Sequence, residues 1–208
     1  MSEEQYSDDE GSFLVGLARS SLSKYLKDGR RPHLPDSIPP RLMEKRGAFV
    51  TIRTHPEGEL RGCIGRPYPT EPLARAVADS AIDAGVGDPR FEPMSADELS
   101  RVTFEVSVLT LPLKLSVKTP YEYREKVVIG RDGVIFSWRG GSGLLLPQVP
   151  VEEGWDVDTY LSYACMKAGA TPDMWLEKGV EVLTFRAVVF EEEVPSGPVK
   201  RKRLEPFG

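Results

Sequence analysis

Apolar positions along the chain change their period several times, and each change marks an element. Over residues 12–27, Phe13, Leu14, Leu17, Ala18, Leu22, Tyr25 and Leu26 recur at helical spacing. Asp28-Gly29 closes that run with a residue suited to a left-handed cap. Four prolines between Pro32 and Pro40 then hold the chain extended. Residues 48–54 and 59–65 read as the arms of a hairpin around His55-Pro56-Glu57-Gly58, in a register that sets Thr54 opposite Glu59 and Val50 opposite Cys63. Residues 71–84 bring Leu73, Ala76, Val77, Ser80, Ala81 and Ala84 onto one helical face, with Pro72 in the first turn. Beyond the proline-rich 87–93 segment, Ser95-Ala96-Asp97-Glu98 has the capping-box pattern of a short helix. Residues 102–109 alternate as a half-buried strand, with Glu105 in its middle either on an ordinary surface or lining a cleft.

The second half repeats these signals in another order. Residues 126–130 and 133–138 read as a hairpin about Arg131-Asp132, and Gly140-Gly141-Ser142-Gly143 as a flexible turn. Residues 157–168 put Tyr160, Leu161, Ala164, Cys165 and Ala168 on one stripe that Gly169 ends, which makes Cys165 a packed core thiol. Residues 182–192 are apolar on both faces and read as one last strand inside a sheet. Helices interspersed with hairpins predict an α+β fold, a mostly antiparallel β-sheet flanked by helices. The hairpin-then-helix order of each half hints at structural duplication.

Composition narrows the function classes. A 208-residue chain builds an ordinary core without staples. Two cysteines far apart in sequence, with no long apolar segment and no leader pattern, predict free thiols in a cytoplasmic protein. The net charge of −5 counts against a protein devoted to wrapping nucleic acid. The acidic run Glu3, Glu4, Asp8, Asp9, Glu10 and the basic run Lys200, Arg201, Lys202, Arg203 read as solvated tails of a domain whose core spans about 11–195. Two histidines and two cysteines, without any metal-ligand spacing, predict no metal, and no cofactor fingerprint occurs.

Candidate chemistry gathers at Leu60-Arg61-Gly62-Cys63-Ile64-Gly65. Gly62 and Gly65 allow close approach to the backbone, and Arg61 would favour a thiolate or a bound anion. His55 lies about four residue pairs from Cys63 along the hairpin, on the order of 14 Å at ~3.4 Å each, so the two do not form a dyad. In a catalytic arrangement Cys63 is the nucleophile or covalent acceptor and Glu105 or Asp88 the general base. Arg61 and Arg90 then hold an anionic substrate group, with Gly62 and Gly65 shaping the pocket. The same residues also read as architecture, with Arg61 paired to Asp88 or Glu105, or as a non-catalytic binding module. A nucleic-acid substrate would call on stacking by Tyr68, Phe91 or Trp138. Gln148 and Lys167 read either as facing the same cleft or, equally well, as a turn and a helix end.

The run at residues 60–65, followed by Asp88-Pro89-Arg90-Phe91, Glu105-Val106-Ser107-Val108-Leu109, Leu146-Pro147-Gln148-Val149 and Lys167-Ala168-Gly169, closely resembles the AMMECR domain family over residues 11–195. The resemblance implies a compact α+β protein with a larger and a smaller lobe. It implies no established reaction. It also implies association with a Memo-like protein and a radical SAM protein, and a modifying role on a nucleic acid.

Overall fold

The computed structural model describes residues 6–203. In chain order the elements are α1 (Asp8–Asp28), β1 (Ala48–Thr54), β2 (Leu60–Arg66), α2 (Leu73–Val86), β3 (Val102–Leu109), β4 (Leu113–Lys114), α3 (Tyr123–Lys126), β5 (Gly133–Trp138), β6 (Gly141–Leu145), α4 (Gln148–Glu152), α5 (Val157–Lys167), β7 (Glu181–Phe185), β8 (Ala187–Glu192) and β9 (Val199–Lys202). The α+β class holds, with antiparallel pairing throughout the assigned registers. The strands form two sheets, one ordered β2-β1-β3-β8-β9 and one ordered β4-β7-β5-β6. They belong to two units: the chain up to Leu109 together with Val188–Lys202, and Thr110–Ala187.

In the first unit, α1 starts one turn earlier than its apolar pattern. Ser7 and Glu10 form a capping box, and Asp8, Asp9 and Glu10 occupy the first turn, where the positive end of the helix dipole favours them. These acids are therefore helical and not a frayed tail, while Glu3 and Glu4 lie outside the described residues. Gly29 closes the helix at φ 66°. Leu14, Leu22 and Ala18 of α1 and Leu73, Val77 and Ala81 of α2 pack with Val50, Ile52, Phe104 and Val106 of the sheet. Arg19 locks this core from within. Its guanidinium donates to Glu192 and to the carbonyls of Leu99 and Val102, and Glu192 also accepts from the Phe104 N–H.

The basic run near the C-terminus is likewise built into the fold. Val199–Lys202 is the edge strand β9 paired to β8, and Arg201 bonds to Asp8. Local sequence gives a four-residue strand of three cations no signal of its own; pairing with Glu191 and Glu192 of β8 creates it.

In the second unit the expected hairpin is displaced. Residues 126–130 form no strand; Lys126 ends α3, and β5 pairs instead with β6, so the glycine run supplies a strand. The reason is steric. A Cβ at Gly143 would lie 2.5 Å from the Ala164 carbonyl oxygen, and one at Gly141 would lie 2.7 Å from that of Ala168, so glycine lets β6 lie against α5. Tyr160, Ala164 and Cys165 of α5 pack with Val134, Phe136 and Val182. The final apolar run also divides: Phe185 ends β7 in one sheet and Ala187 begins β8 in the other, each strand internal to its own sheet. An apolar run read without its partners does not reveal that break.

Candidate functional site

Cys63 reaches its position through a β-bulge. Pairing of β1 with β2 runs Arg53↔Leu60, then shifts, then Ile52↔Gly62 and Thr51↔Cys63, so that Arg61 is the extra residue. The expected Val50–Cys63 pair is thus replaced, because a one-residue slip carries every following side chain to the opposite face. Without the bulge Cys63 would point to the helices with Val50. With it, Gly62 takes that side, and a Cβ there would lie 2.0 Å from the Ala84 carbonyl oxygen. Gly65 is needed for another reason, since Phe49, its partner on β1, lays its ring where a Cβ would stand, 2.3 Å away.

Thr51 faces Cys63 on one side and Glu105 on the other, so the three side chains form a polar row across β2, β1 and β3, on the face away from α1 and α2. Cys63 is half-buried and, unlike Cys165, lies outside the two clusters of buried apolar residues. The Thr51 hydroxyl donates to its sulfur at 3.3 Å. Glu105 is buried at 3 % exposure and accepts from Lys202 Nζ at 2.8 Å, while Lys202 also lies 3.5 Å from Glu191. Of the two alternatives for Glu105, the ordinary surface position is excluded. Two strand spacings, about 10 Å, separate it from the Cys63 backbone, with Thr51 between them.

The outer edge of β2 is closed by one acid and one base from the loop after α2. Asp88 accepts the Cys63 N–H at 2.9 Å and the Arg90 N–H at 3.1 Å. Arg90 donates to Asp88 from Nε and Nη2, at 2.9 and 2.6 Å, and from Nη2 to the Cys63 carbonyl at 3.3 Å. The pair offers β2 an acceptor and a donor much as another strand would, satisfying the backbone of Cys63 on its free side. The Arg90 hydrogen bonds hold the Asp88 carboxyl at about 2, against the cost of burial and with help from the two backbone N–H groups. Arg90 is raised in turn, first by the hydrogen bonds to Asp88, against the cost of burial, and further by the negative charge of Asp88.

Arg61 pairs with neither Asp88 nor Glu105. Displaced by the bulge, it forms a two-point ion pair with Glu98, Nε–Oε2 2.8 Å and Nη2–Oε1 3.2 Å, and donates to the Glu92 carbonyl at 3.0 Å. Glu98 belongs to the 3₁₀ turn Ala96–Arg101, and burial would raise its pKa, yet Arg61 and the Ser95 N–H draw it down overall. Both guanidinium groups lie near the Phe91 ring, Arg61 at 5.9 Å and Arg90 at 5.5 Å from its centroid.

The structure therefore gathers Cys63, Asp88, Arg90, Gly62 and Gly65, sets Glu105 beyond Thr51 and turns Arg61 to Glu98. Thr51 of the row and Lys202, the ion partner of Glu105, carry no mark in the local sequence. Thr51 is hidden by the bulge and Lys202 by its likeness to a solvated tail residue. Gln148, Lys167 and Trp138 lie in the second unit. Among the described residues no cluster of metal-ligating side chains occurs, and no helix is long and apolar enough to cross a membrane.

Comparison with known proteins follows the same residues. A model of the AMMECR1 family matches residues 15–190. Protein MK0488 of Methanopyrus kandleri is 52% identical over 199 residues, covering 94% of this chain and 95% of its own. Protein MJ0810 of Methanocaldococcus jannaschii is 48% identical over 196 residues, covering 94% of this chain and 96% of its own. The crystal structure of the uncharacterized protein PH0010 from Pyrococcus horikoshii superposes with a TM-score of 0.92 at 47% identity, covering 95% of this chain and 98% of that one.

Proposed function

The chain belongs to the AMMECR1 family, and from that premise we propose that it is an enzyme, or the reacting subunit of an enzyme system, with the Cys63 thiol as nucleophile or transient covalent acceptor. One observation carries this reading. A half-buried thiol outside both apolar clusters is held on a strand whose backbone is fixed from the free edge by Asp88 and Arg90. Packing alone gives no reason to hold a thiol there.

Asp88 has the part of a holder and not of a base, since a carboxyl near 2 has little affinity for a proton at neutral pH. Arg90 is the anion anchor. Its side chain is 54% exposed, and its Nη1 meets no acceptor among the described residues while Nε and Nη2 are engaged. A small substrate carrying a carboxylate or phosphate fits that edge beside the sulfur.

A second reading, a non-catalytic binding module, is favoured by the engagement of Arg61 with Glu98, which leaves one arginine fewer for a substrate. Alkylation rate of Cys63 against pH, followed by mass spectrometry with Cys165 as internal comparison, separates the two. A fast Cys63 that is protected by phosphate or a small dicarboxylate, with protection lost in Arg90→Ala, supports the enzyme. A thiol no faster than a free cysteine would move the assignment to the binding module.

A further inference from the structure

The bulge does more than expose Cys63: it selects the side chain that stands beside the sulfur. We propose that Thr51 is a positioning residue of the Cys63 centre, its hydroxyl donating to the sulfur and favouring the thiolate over the thiol. This inference rests on the reading of Cys63 as a functional thiol and adds a residue that local sequence pattern does not mark.

Three observations support it. Thr51 and Cys63 are directly opposed, and the outer-edge bonds of Cys63 to Asp88 and Arg90 make theirs a non-hydrogen-bonded pair, the type in which side chains stand closest. Thr51 is 5% exposed and β-branched, so its hydroxyl is held by the strand and is shielded from competing water. The O–H to sulfur distance is 3.3 Å. Neutral sulfur is a weak acceptor and a thiolate a strong one, so a fixed donor at this distance stabilises the charged form selectively.

The surrounding charges leave this contribution visible. From the loop after α2, Asp88 faces the Cys63 backbone, and its negative charge is matched by Arg90 at 2.6 Å. From β3, Glu105 shares the row and is matched by Lys202 of β9, which Glu191 of β8 also approaches. Arg61, next to Gly62 and two residues from Cys63, is matched by Glu98. Each of these charges thus has an opposite partner, which limits its net effect on the sulfur, whereas the Thr51 hydroxyl is aimed at the sulfur itself.

The test is an ultraviolet titration of the Cys63 thiolate in a Cys165→Ala background, with Thr51→Val and Thr51→Ser compared to the parent. Thr51→Val keeps the shape and removes the donor; it should raise the Cys63 pKa by about one unit and slow alkylation near neutral pH about ten-fold. Thr51→Ser keeps a hydroxyl and should recover most of both. Thermal unfolding verifies that each variant is folded, and Thr51→Ala replaces valine if that variant is not. An unchanged thiolate titration in the folded Val or Ala variant overturns the proposal. If Thr51 governs the titration but Cys63 shows no anion-protected reactivity, the enzyme reading falls and this one stands. If protected reactivity is present but indifferent to Thr51, the outcome is reversed.

Discussion

Replacing Asp88 by asparagine would remove one charge from the clamp on β2 while leaving its shape. The folded carboxyl lies at about 2, against an ordinary 3.8. At about 1.36 kcal/mol per unit, the difference corresponds to roughly 2 kcal/mol of stability at neutral pH. Asp88 itself is buried, but Arg90 is 54% exposed, and solvent screens part of the attraction, so about 1–2 kcal/mol is expected. Because the folded pKa is depressed, this contribution is fully present above about pH 4 to 5 and is lost as the pH falls through about 2; near pH 3 roughly half remains. Urea unfolding of the parent and of Asp88→Asn near pH 7 and near pH 3 reads the quantity directly. The parent should be more stable by about 1–2 kcal/mol at neutral pH, with the gap shrinking by about half in acid. Equal gaps at the two pH values would refute the charge-based account, and no gap at neutral pH would remove Asp88 as a holder of β2.

Other outcomes follow from individual contacts. Gly62→Ala forces a Cβ to within 2.0 Å of the Ala84 carbonyl unless β2 or α2 moves; chemical denaturation should show a loss of about 3 kcal/mol, and near-parental stability would refute the close approach. Lys202→Met strips Glu105 of its 2.8 Å partner and should cost about 2–3 kcal/mol, partly recovered when Glu105→Leu is added; an additive double variant would show that the two are not coupled. Cys165, fully buried with burial pushing its thiol up to about 11, should resist alkylation near pH 8 until the protein unfolds. Rapid labelling in the native state would contradict its place in the core.

How much of this was legible in the chain depends on the range of the interactions involved. The bounds of β3, the glycine stops after α1 and α5 and the core position of Cys165 follow from alternation, helical spacing and glycine, all of which act between residues close in sequence. Tertiary structure decided what those rules do not reach. The bulge at Arg61 arises where β2 must meet β1 on one side and α2 on the other, and it replaced Val50 by Thr51 beside the thiol. The glycine run became β6 because α5 packs on it, and the run of cations became β9 because β8 offers it a partner strand and opposite charge. Periodicity fixes which residues face a core, whereas the partner across a strand, and hence the group that touches Cys63, is fixed by contacts between segments that only folding brings together.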